Sequence, residues 1–292
     1  MANYPESGYS GHMGIPFHKT AMSEAEIQAV VDTMRSGWIT IGPQTKEFED
    51  LFAKAVGAKY AVAVNSATAG LHLALKALGI QAGDEVILPT TTFVATAEVV
   101  TYFNATPVLC DIREDTHSID PKKIEALISP KTKAIIPVHF SGAPADMDEI
   151  NAIAAKQQIP LIQDAAHSFP SEYKGAVIGS TGTAVFSFYA TKTLSTGEGG
   201  MVCTDDEALA KSVQCNRLHG MSRDAWNRYA KGGTWQYDVI DNGCKYNMTD
   251  IQAALGKVQL KRAADLTAKR KSIHERYDAA FSEFSTLSLL ED

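Results

Sequence analysis

Two charged residues stand where the sequence predicts that buried strands end. Lys192 follows the apolar run 186–188 and precedes the glycine-bearing segment 196–200, so it can be held at a ligand site instead of in solvent. Asp164 follows the apolar run 160–162, where a carboxylate is costly to ionise unless a cation faces it. Taken singly, each has an ordinary interpretation, because lysine is usually a surface residue and aspartate is a favoured helix N-cap.

The two residues are more informative as a pair. The chemistry of pyridoxal 5′-phosphate (PLP) needs an amine that forms a Schiff base and a carboxylate that keeps the pyridine nitrogen protonated. Lys192 and Asp164, each at the mouth of a predicted strand, suit the two ends of that ring. The pattern therefore predicts a PLP enzyme in which these two residues are catalytic.

A bound phosphate and a flat ring need two further features. The segment Asn65–Gly70 follows an apolar run and opens a predicted helix, whose free N–H groups can meet a phosphate together with the Thr68 hydroxyl. Ser187 can supply a second hydroxyl, and Phe93, which follows another predicted strand, can cover the ring. The ordinary alternatives are a strand-to-helix turn without a ligand and an aromatic residue of the core.

Short apolar runs alternate with helical segments through the first half of the chain. The strand-like runs are Ala61–Val64, Glu85–Leu88, Pro107–Cys110, Ala134–Val138 and Pro160–Ile162, and the helical segments are Ala69–Leu78, Val94–Tyr102, Pro121–Ile128 and Met147–Ala155. This alternation predicts an α/β protein with a mostly parallel sheet that is buried on both faces. Ligands in such folds collect beyond the carboxyl ends of the strands, where the candidate residues lie.

Other parts of the chain follow different patterns. An S-x-x-E capping box at Ser23 precedes a helical run near the N-terminus. The runs Val185–Phe188 and Met201–Thr204 predict two strands joined by a short turn. From Thr249 onward the chain is predicted to be helical, with residues 251–284 forming one long or broken helix.

The composition excludes several classes of protein. The chain has 292 residues, 45% of them hydrophobic, and a net charge of −7 without a basic run, so a nucleic-acid surface is not expected. Its four cysteines and eight histidines lack the spacing of a disulfide framework or a metal site. No run of 18 apolar residues and no signal peptide is visible, so we expect a cytoplasmic protein that does not enter membranes.

Several motifs together resemble the DegT/StrS family of PLP-dependent sugar aminotransferases, which has the aspartate-aminotransferase-like fold (fold type I). The resemblance begins at about Pro16 and rests on six segments in the same order: Ser36–Pro43, Ser66–Leu71, Thr92–Thr96, Asp164–His167, Glu198–Gly200 and Tyr246–Asp250. The polar segment 1–14 is expected to be flexible, and the resemblance implies a large PLP-binding domain over residues 15–248. Residues 249–292 then form a helical connection and the start of a truncated C-terminal small domain, because family members usually continue further.

The resemblance also implies a role for each candidate residue. It makes Lys192 the Schiff-base lysine and Asp164 the partner of the pyridine nitrogen, with Phe93 over the ring. The remaining contacts to the cofactor fall to Thr68, Ala69, Ser187, His167 and Asn247. Of these, His167 lies near the cofactor's 3′-oxygen, and Asn247 reaches the phosphate of the neighbouring subunit. The family therefore predicts a homodimer with shared active sites.

The reaction implied by the resemblance is transfer of an amino group from L-glutamate to a keto sugar nucleotide. Trp38–Pro43 and Val138–Asp146 are most similar to enzymes that aminate UDP-4-keto sugars, such as the one that forms UDP-4-amino-4-deoxy-L-arabinose. The substrate is thus expected to be a UDP- or dTDP-4-keto sugar destined for a surface polysaccharide or a lipid A sugar.

Alternatives to this reaction stay open. One is a PLP-dependent sugar dehydratase, against which Lys192 argues because that branch of the family carries histidine at this position. Another is an inactive nucleotide-binding or regulatory relative. A nicotinamide-binding Rossmann domain lacks support, since no G-x-G-x-x-G opens a helix.

Overall fold

In the computed structural model, strands alternate with helices along most of the residues that the structure describes, 18–222 and 237–287. The helices are α1 (Glu24–Arg35), α2 (Pro43–Val56), α3 (Ala67–Ala77), α4 (Val94–Thr101), α5 (Pro121–Ile124), α6 (Met147–Gln157), α7 (Glu207–Asn216), α8 (Asp250–Lys261) and α9 (Ala263–Phe281). The strands are β1 (Tyr60–Val64), β2 (Glu85–Pro89), β3 (Thr106–Cys110), β4 (Thr132–Ile135), β5 (Gln163–Asp164), β6 (Glu172–Tyr173), β7 (Ala176–Val177), β8 (Thr183–Ser187) and β9 (Gly200–Thr204). The predicted flexible segment 1–14 lies outside the described residues. Within those residues, no helix is long and apolar enough to cross a membrane.

The main sheet has two parts that meet between β4 and β5. One part has the order β3-β2-β4 and the other β1-β9-β8-β5, and parallel bridges join Ile135 to Leu161 and Val138 to Asp164. Among the described strands, and apart from the separate β6–β7 hairpin, only β9 runs against its neighbours, β1 and β8. The predicted α/β architecture with a mostly parallel sheet is therefore confirmed.

Helices cover both faces of this sheet. Successive strand residues point to opposite sides, so apolar strand residues contact helices on each face. On one face Val185 joins an aliphatic cluster beneath α3 and α4. On the other face Phe186 and Phe188 pack against Phe48 and Phe52 of α2, with ring centroids 5.1 to 5.4 Å apart. Full burial of each ring contributes about 1.5–3 kcal/mol. This packing holds the strand ends, and the loops that leave them, in fixed positions.

The strand that carries Asp164 begins later than predicted. Within residues 160–162 only Leu161 forms a bridge, to Ile135 at the end of β4, and β5 itself is Gln163–Asp164. Pro137 interrupts the neighbouring ladder because it has no N–H to donate. Asp164 is thus the last residue of its strand and does not follow the strand as the sequence predicted.

Two other predictions about the secondary structure need correction, and the structure decides a third that had left two alternatives. The strands β8 and β9 pair as predicted, but twelve residues, 188–199, join them instead of a short turn. The predicted helix over 121–128 keeps one turn as α5 and ends in a 3₁₀ turn, because Pro130 disfavours helical backbone before it. The C-terminal helix is broken at Arg262, between α8 and α9.

Glu26 of α1 ties this break to the N-terminal part of the fold. Its buried carboxylate accepts hydrogen bonds from the Ser23 N–H at 2.9 Å, from Gln259 at 2.7 Å and from Arg262. Gln259 and Arg262 also donate to the carbonyl of Ala21, at 3.1 and 3.2 Å. These bonds fix the angle at which α9 leaves α8.

A second buried carboxylate fixes the edge of the sheet. Glu49 of α2 forms an ion pair with Arg217, which follows α7, and both side chains are buried. The N–H of Ala63 in β1 donates to Glu49 at 2.9 Å, and its carbonyl accepts from Arg217 at 2.7 Å. The pair therefore joins two helices to the strand that leads to the predicted phosphate turn.

Candidate active site

The register of the sheet brings the predicted site residues to one edge. Val64, Gly200 and Ser187 lie opposite one another across β1, β9 and β8. On the next strand Asp164 lies opposite Val185, two positions before Ser187. Neighbouring strands are about 4.8 Å apart. The turn after Val64, the connection after Ser187 and Asp164 itself thus share the carboxyl ends of parallel strands, where such folds bind ligands.

Asp164 is buried, with 5% of its surface exposed. Its Oδ2 accepts a hydrogen bond from Thr96 Oγ1 at 2.7 Å, and its Oδ1 accepts one from the Ala166 N–H at 3.1 Å. Burial raises the pKa of Asp164, and these two hydrogen bonds, together with His167 and Lys192, oppose that effect. A buried carboxylate of this kind is stabilised by a cation that faces it.

Lys192 is half-buried on the connection between β8 and β9. The backbone N–H of Lys192 donates to the carbonyl of Tyr189 at 2.9 Å. The guanidinium of Arg270 in α9 donates to the carbonyls of Thr191 and Lys192 at 3.3 and 3.4 Å. Burial lowers the pKa of the Lys192 amine, and the charge of Asp164 opposes this shift. A lowered pKa increases the fraction of neutral amine, which is the nucleophilic form.

His167 is the third titratable group of the site. Burial and then Lys192 lower its pKa, whereas Asp164 raises it. A Cβ on Gly142, whose φ is +99°, would lie 3.1 Å from the carbonyl oxygen of His167, so glycine lets this turn approach closely. Lys192 and Asp164 each affect the pKa of the other, and both affect the pKa of His167, so these three predicted residues lie near one another.

The turn between β1 and α3 has the features of an anion site. Ser66 caps α3, and its Oγ accepts a hydrogen bond from the Ala69 N–H at 3.1 Å, so this predicted donor is already engaged. Thr68 is half-buried in the same turn. A Cβ on Gly200 would lie 2.6 Å from the carbonyl carbon of Ser66 and 2.7 Å from the nitrogen of Ala67, so only glycine fits there. The N–H groups at the start of α3 attract anions.

Ser187 and Phe93 come from strands on opposite sides of β5. Ser187 is half-buried, and its hydroxyl accepts a hydrogen bond from the Tyr189 N–H at 3.3 Å. Phe93 is the N-cap of α4 and is 72% exposed, beside Thr92. The ring of Phe93 is therefore available to contact a ligand at this rim, and its role as a cover stays a prediction.

Asn247 lies next to the same turn within its own chain. It forms an antiparallel bridge with Val64, and the neighbouring Asn65 N–H donates to the carbonyl of Tyr246 at 2.7 Å. The side chain of Asn247 accepts from Lys245 Nζ at 2.6 Å and donates to the Met248 carbonyl at 3.1 Å. Its predicted contact with the phosphate of a neighbouring subunit stays a prediction.

A cleft of about 1160 Å³ opens beside Lys192 and His167. Clefts of this size accommodate small-molecule ligands. Its other walls come from Thr116, from the turns 140–144 and 169–172, from Thr191 and Thr193 beside the lysine, and from Thr267, Arg270, Lys271, His274, Glu275 and Asp278 of α9. Lys192 and His167 therefore line a cleft that is open to a ligand.

Three residues without a predicted role contribute to the site. Thr96 bonds the Asp164 carboxylate, Arg270 bonds the carbonyl of Lys192, and Gly200 allows β9 to approach the phosphate turn. Thr96 and Gly200 lie in segments that carry the family resemblance, which is the one sequence signal that marks them. Arg270 lies on a helix that was predicted only as a connection.

The chemical groups present fit PLP. A half-buried amine of lowered pKa, a buried carboxylate and the N-terminus of α3 match the aldehyde, the pyridine nitrogen and the phosphate of that cofactor. Among residues 18–222 and 237–287, no three histidine, cysteine or acidic side chains are grouped so that they could hold a metal ion.

Known proteins resemble this chain along most of its length. It matches the DegT/DnrJ/EryC1/StrS aminotransferase family over residues 20–292. The spore coat polysaccharide biosynthesis protein SpsC of Bacillus subtilis (strain 168) is 51% identical over 274 residues, which cover 94% of this chain and 70% of SpsC.

Solved structures give the same result for the fold. The putative sugar aminotransferase Spr1654 from Streptococcus pneumoniae, in its PLP form, is 39% identical with a TM-score of 0.85, covering 92% of this chain and 71% of that one. Helicobacter pylori PseC, an aminotransferase involved in the biosynthesis of pseudoaminic acid, is 30% identical with a TM-score of 0.85, covering 92% of this chain and 71% of that one.

These similarities confirm two of the sequence predictions. The fold is that of the PLP-dependent transferases of fold type I, and PLP is the cofactor of the family. The match over residues 20–292 includes every segment that carries the predicted resemblance. The chain therefore belongs to the DegT/DnrJ/EryC1/StrS aminotransferase family.

Proposed function

We propose that this chain transfers an amino group from L-glutamate to a keto sugar nucleotide, a UDP- or dTDP-4-keto sugar. The observation that carries the proposal is the placement of the Lys192 amine, the Asp164 carboxylate and the N-terminus of α3 at one edge of the sheet. The names of SpsC and PseC, a spore coat polysaccharide protein and a pseudoaminic acid enzyme, support a product that enters a surface polysaccharide.

Each predicted residue has a task in this reaction. When bound, PLP supplies a ring that accepts the electrons released at the carbon bearing the amino group. Asp164 holds the positive charge at the ring nitrogen, and Phe93 covers the ring. The phosphate is held by Thr68 and Ala69 at the start of α3, together with Ser187 and Asn247. His167 lies near the 3′-oxygen of the cofactor.

Lys192 carries the covalent and proton-transfer work. Because burial lowers the pKa of its amine, more of Lys192 is neutral and able to bond the cofactor's aldehyde carbon. As a free amine, Nζ would accept the proton that leaves the α-carbon of glutamate. In the second half of the reaction the same atom delivers a proton to the sugar carbon that receives the amino group.

The active site is proposed to be shared between two copies of the chain. In this arrangement Asn247 contributes to the phosphate site of the neighbouring subunit in a homodimer. Its amide is hydrogen-bonded to Lys245 beside the turn after β1 of its own chain, and the family resemblance supports the contact with a second copy. The cytoplasm is the proposed location.

A labelling experiment tests the lysine, and a product analysis tests the substrate. Borohydride reduction of the PLP-loaded protein followed by peptide mass mapping should find the cofactor on Lys192, and a label on another lysine contradicts the assignment. Lys211→Ala, at an exposed ion pair, is the matched control and should keep the label.

Incubation with glutamate and a panel of UDP- and dTDP-4-keto sugars should give an amino sugar nucleotide by mass spectrometry. A dehydrated product without nitrogen would identify a sugar dehydratase instead. Equal amination of the same keto sugar without its nucleotide would exclude the nucleotide as a recognition element.

A further inference from the structure

The carboxylate of Asp164 is held by a chain of two hydroxyl groups that no predicted role includes. Thr96, in the first turns of α4, is fully buried, and its Oγ1 lies 2.7 Å from Oδ2 of Asp164. Behind it, Thr92 Oγ1 lies 2.7 Å from Thr96 Oγ1. Thr92 is half-buried next to the exposed Phe93. The chain of hydroxyls therefore runs from the rim of the site to the buried carboxylate.

The charge of Asp164 fixes the direction of these hydrogen bonds. An ionised carboxylate can only accept, so Thr96 must donate its single hydroxyl proton to Asp164. Thr96 Oγ1 then has only lone pairs left for its other neighbour, and Thr92 must be the donor in that contact. If Asp164 were protonated, both bonds could reverse. The arrangement Thr92→Thr96→Asp164 is thus the one that matches an ionised Asp164, and each bond polarises the next.

No other side-chain hydroxyl among the described hydrogen bonds reaches this carboxylate. Its other oxygen accepts from the Ala166 N–H at 3.1 Å, and Ala166 is only two residues along the chain. Thr96, by contrast, lies 68 residues before Asp164 and on helix α4. The Thr96 bond therefore couples the position of α4 to the orientation of the carboxylate.

We propose that Thr96 is a positioning residue that keeps Asp164 ionised and oriented towards the ring nitrogen of PLP, with Thr92 as its supporting donor. The inference rests on the proposed function, because the charge of Asp164 matters in this way only if the carboxylate faces that nitrogen. Without the Thr96 hydroxyl, the desolvated carboxylate gains affinity for a proton. The proton shared between Asp164 and the nitrogen then moves towards the carboxyl group, and the ring nitrogen becomes neutral.

The test reads the ring nitrogen directly. Apo protein is loaded with PLP that carries ¹⁵N in the ring, and the ¹⁵N chemical shift reports whether the nitrogen is protonated. In Thr96→Val, which exchanges a hydroxyl for a methyl group, the signal should move towards the neutral value. The dissociation constant of PLP should also rise, because Asp164 is then less often ionised and attracts the ring nitrogen less strongly.

Three further variants separate this role from simple packing. Thr96→Ser retains the hydroxyl and should keep the signal and the affinity close to those of the unaltered chain. Thr92→Val should move the signal in the same direction by a smaller amount. Thr101→Val makes the same chemical change on the same helix, where the hydroxyl bonds only the carbonyl of Glu98, and should have no effect.

The results distinguish the inference from the proposed function beneath it. Asp164→Asn defines the signal of a ring nitrogen without its carboxylate, and an unchanged signal in that variant means that the assignment of Asp164 itself is wrong. If Asp164→Asn moves the signal but Thr96→Val does not, Thr96 has no positioning role. Equal loss in Thr96→Val and Thr96→Ser also overturns the inference. If Thr96→Val does not fold, Thr92→Val decides, and an unmoved signal there contradicts the hydroxyl chain.

Discussion

Replacement of Glu26 by glutamine tests how a buried carboxylate supports the break between α8 and α9. One oxygen of Glu26 accepts from the Ser23 N–H, and the other accepts from Gln259 and Arg262. Glutamine offers one oxygen and one NH₂ group, so in either orientation a donor meets a donor. The less costly orientation keeps the oxygen towards Gln259 and Arg262 and leaves the Ser23 N–H without an acceptor.

The pKa of Glu26 gives the size of the effect. Burial disfavours the ionised form, but the hydrogen bonds from Ser23 and Arg262 outweigh burial and lower the pKa of Glu26 from 4.5 to about 2. This shift corresponds to about 3 kcal/mol of stability at neutral pH, which solvent around the partly exposed Arg262 reduces to about 2 kcal/mol. Because folding lowers the pKa, the stabilisation is present above pH 4.5 and is lost as the pH falls towards 2.

Urea unfolding at several pH values measures this contribution. At about pH 7 we expect Glu26→Gln to be about 2 kcal/mol less stable than the unaltered chain, and roughly 1 kcal/mol of that difference should disappear by about pH 3.5. Glu24→Gln removes an exposed carboxylate from the same turn of α1 and should change stability by less than about 1 kcal/mol. If Glu26→Gln lowers the free energy of unfolding by the same amount at both pH values, the reasoning is refuted, because the loss would not depend on an ionised carboxylate.

Three further predictions concern the shared site, the buried ion pair and the phosphate turn. Inactive Lys192→Ala and Asn247→Asp proteins, unfolded and refolded together in equal amounts, should recover activity in roughly a quarter of all sites if Asn247 acts across a dimer. Arg217→Met should lower the free energy of unfolding by about 3–5 kcal/mol in urea titrations, because it leaves Glu49 buried without a partner. Gly200→Ala should weaken PLP binding at least about tenfold in absorbance titrations, since its Cβ meets the backbone of the turn at 2.6 Å.

Each of these predictions has a control or a contradictory result. Absence of recovery in a sample that contains mixed dimers would show that Asn247 serves its own chain. The double variant Glu49→Leu/Arg217→Met should be less destabilised than Arg217→Met alone, and the reverse order would mean that lost packing dominates. Unchanged PLP affinity in Gly200→Ala would mean that the turn moves freely and is not held by β9.

The elements that depend on local pattern were predictable from the sequence. The capping box at Ser23 does begin α1, and the alternation of apolar runs and helices yields the parallel strands in the predicted order. The resemblance located the lysine and the acid because their flanking segments keep a fixed order. These patterns involve residues that are close together in the sequence, so they can be recognised without knowledge of tertiary contacts.

The parts that the sequence missed depend on long-range contacts. Nothing near Thr96 indicates that its hydroxyl meets Asp164, because that contact exists only once α4 lies against β5. The twelve residues between β8 and β9 hold two strands that pair directly, and apolar runs alone do not reveal how long such a connection is. The break at Arg262 follows from its bonds to α1, more than 230 residues earlier. Side-chain partners from distant segments decided the first and the last of these features.

The reversed strand β9 has a consequence for how the protein is made. On the ribosome β1 emerges about 140 residues before β9, which is its partner in the sheet. Until β9 inserts between β1 and β8, the turn after Val64 lacks the wall that Gly200 provides, and the lysine connection has no anchored end. Such non-local pairing is slow to form and leaves a strand edge exposed to chaperones or to other nascent chains. The cofactor pocket is therefore completed only when the sheet closes, so PLP binds the finished fold and stabilises it selectively over every earlier intermediate.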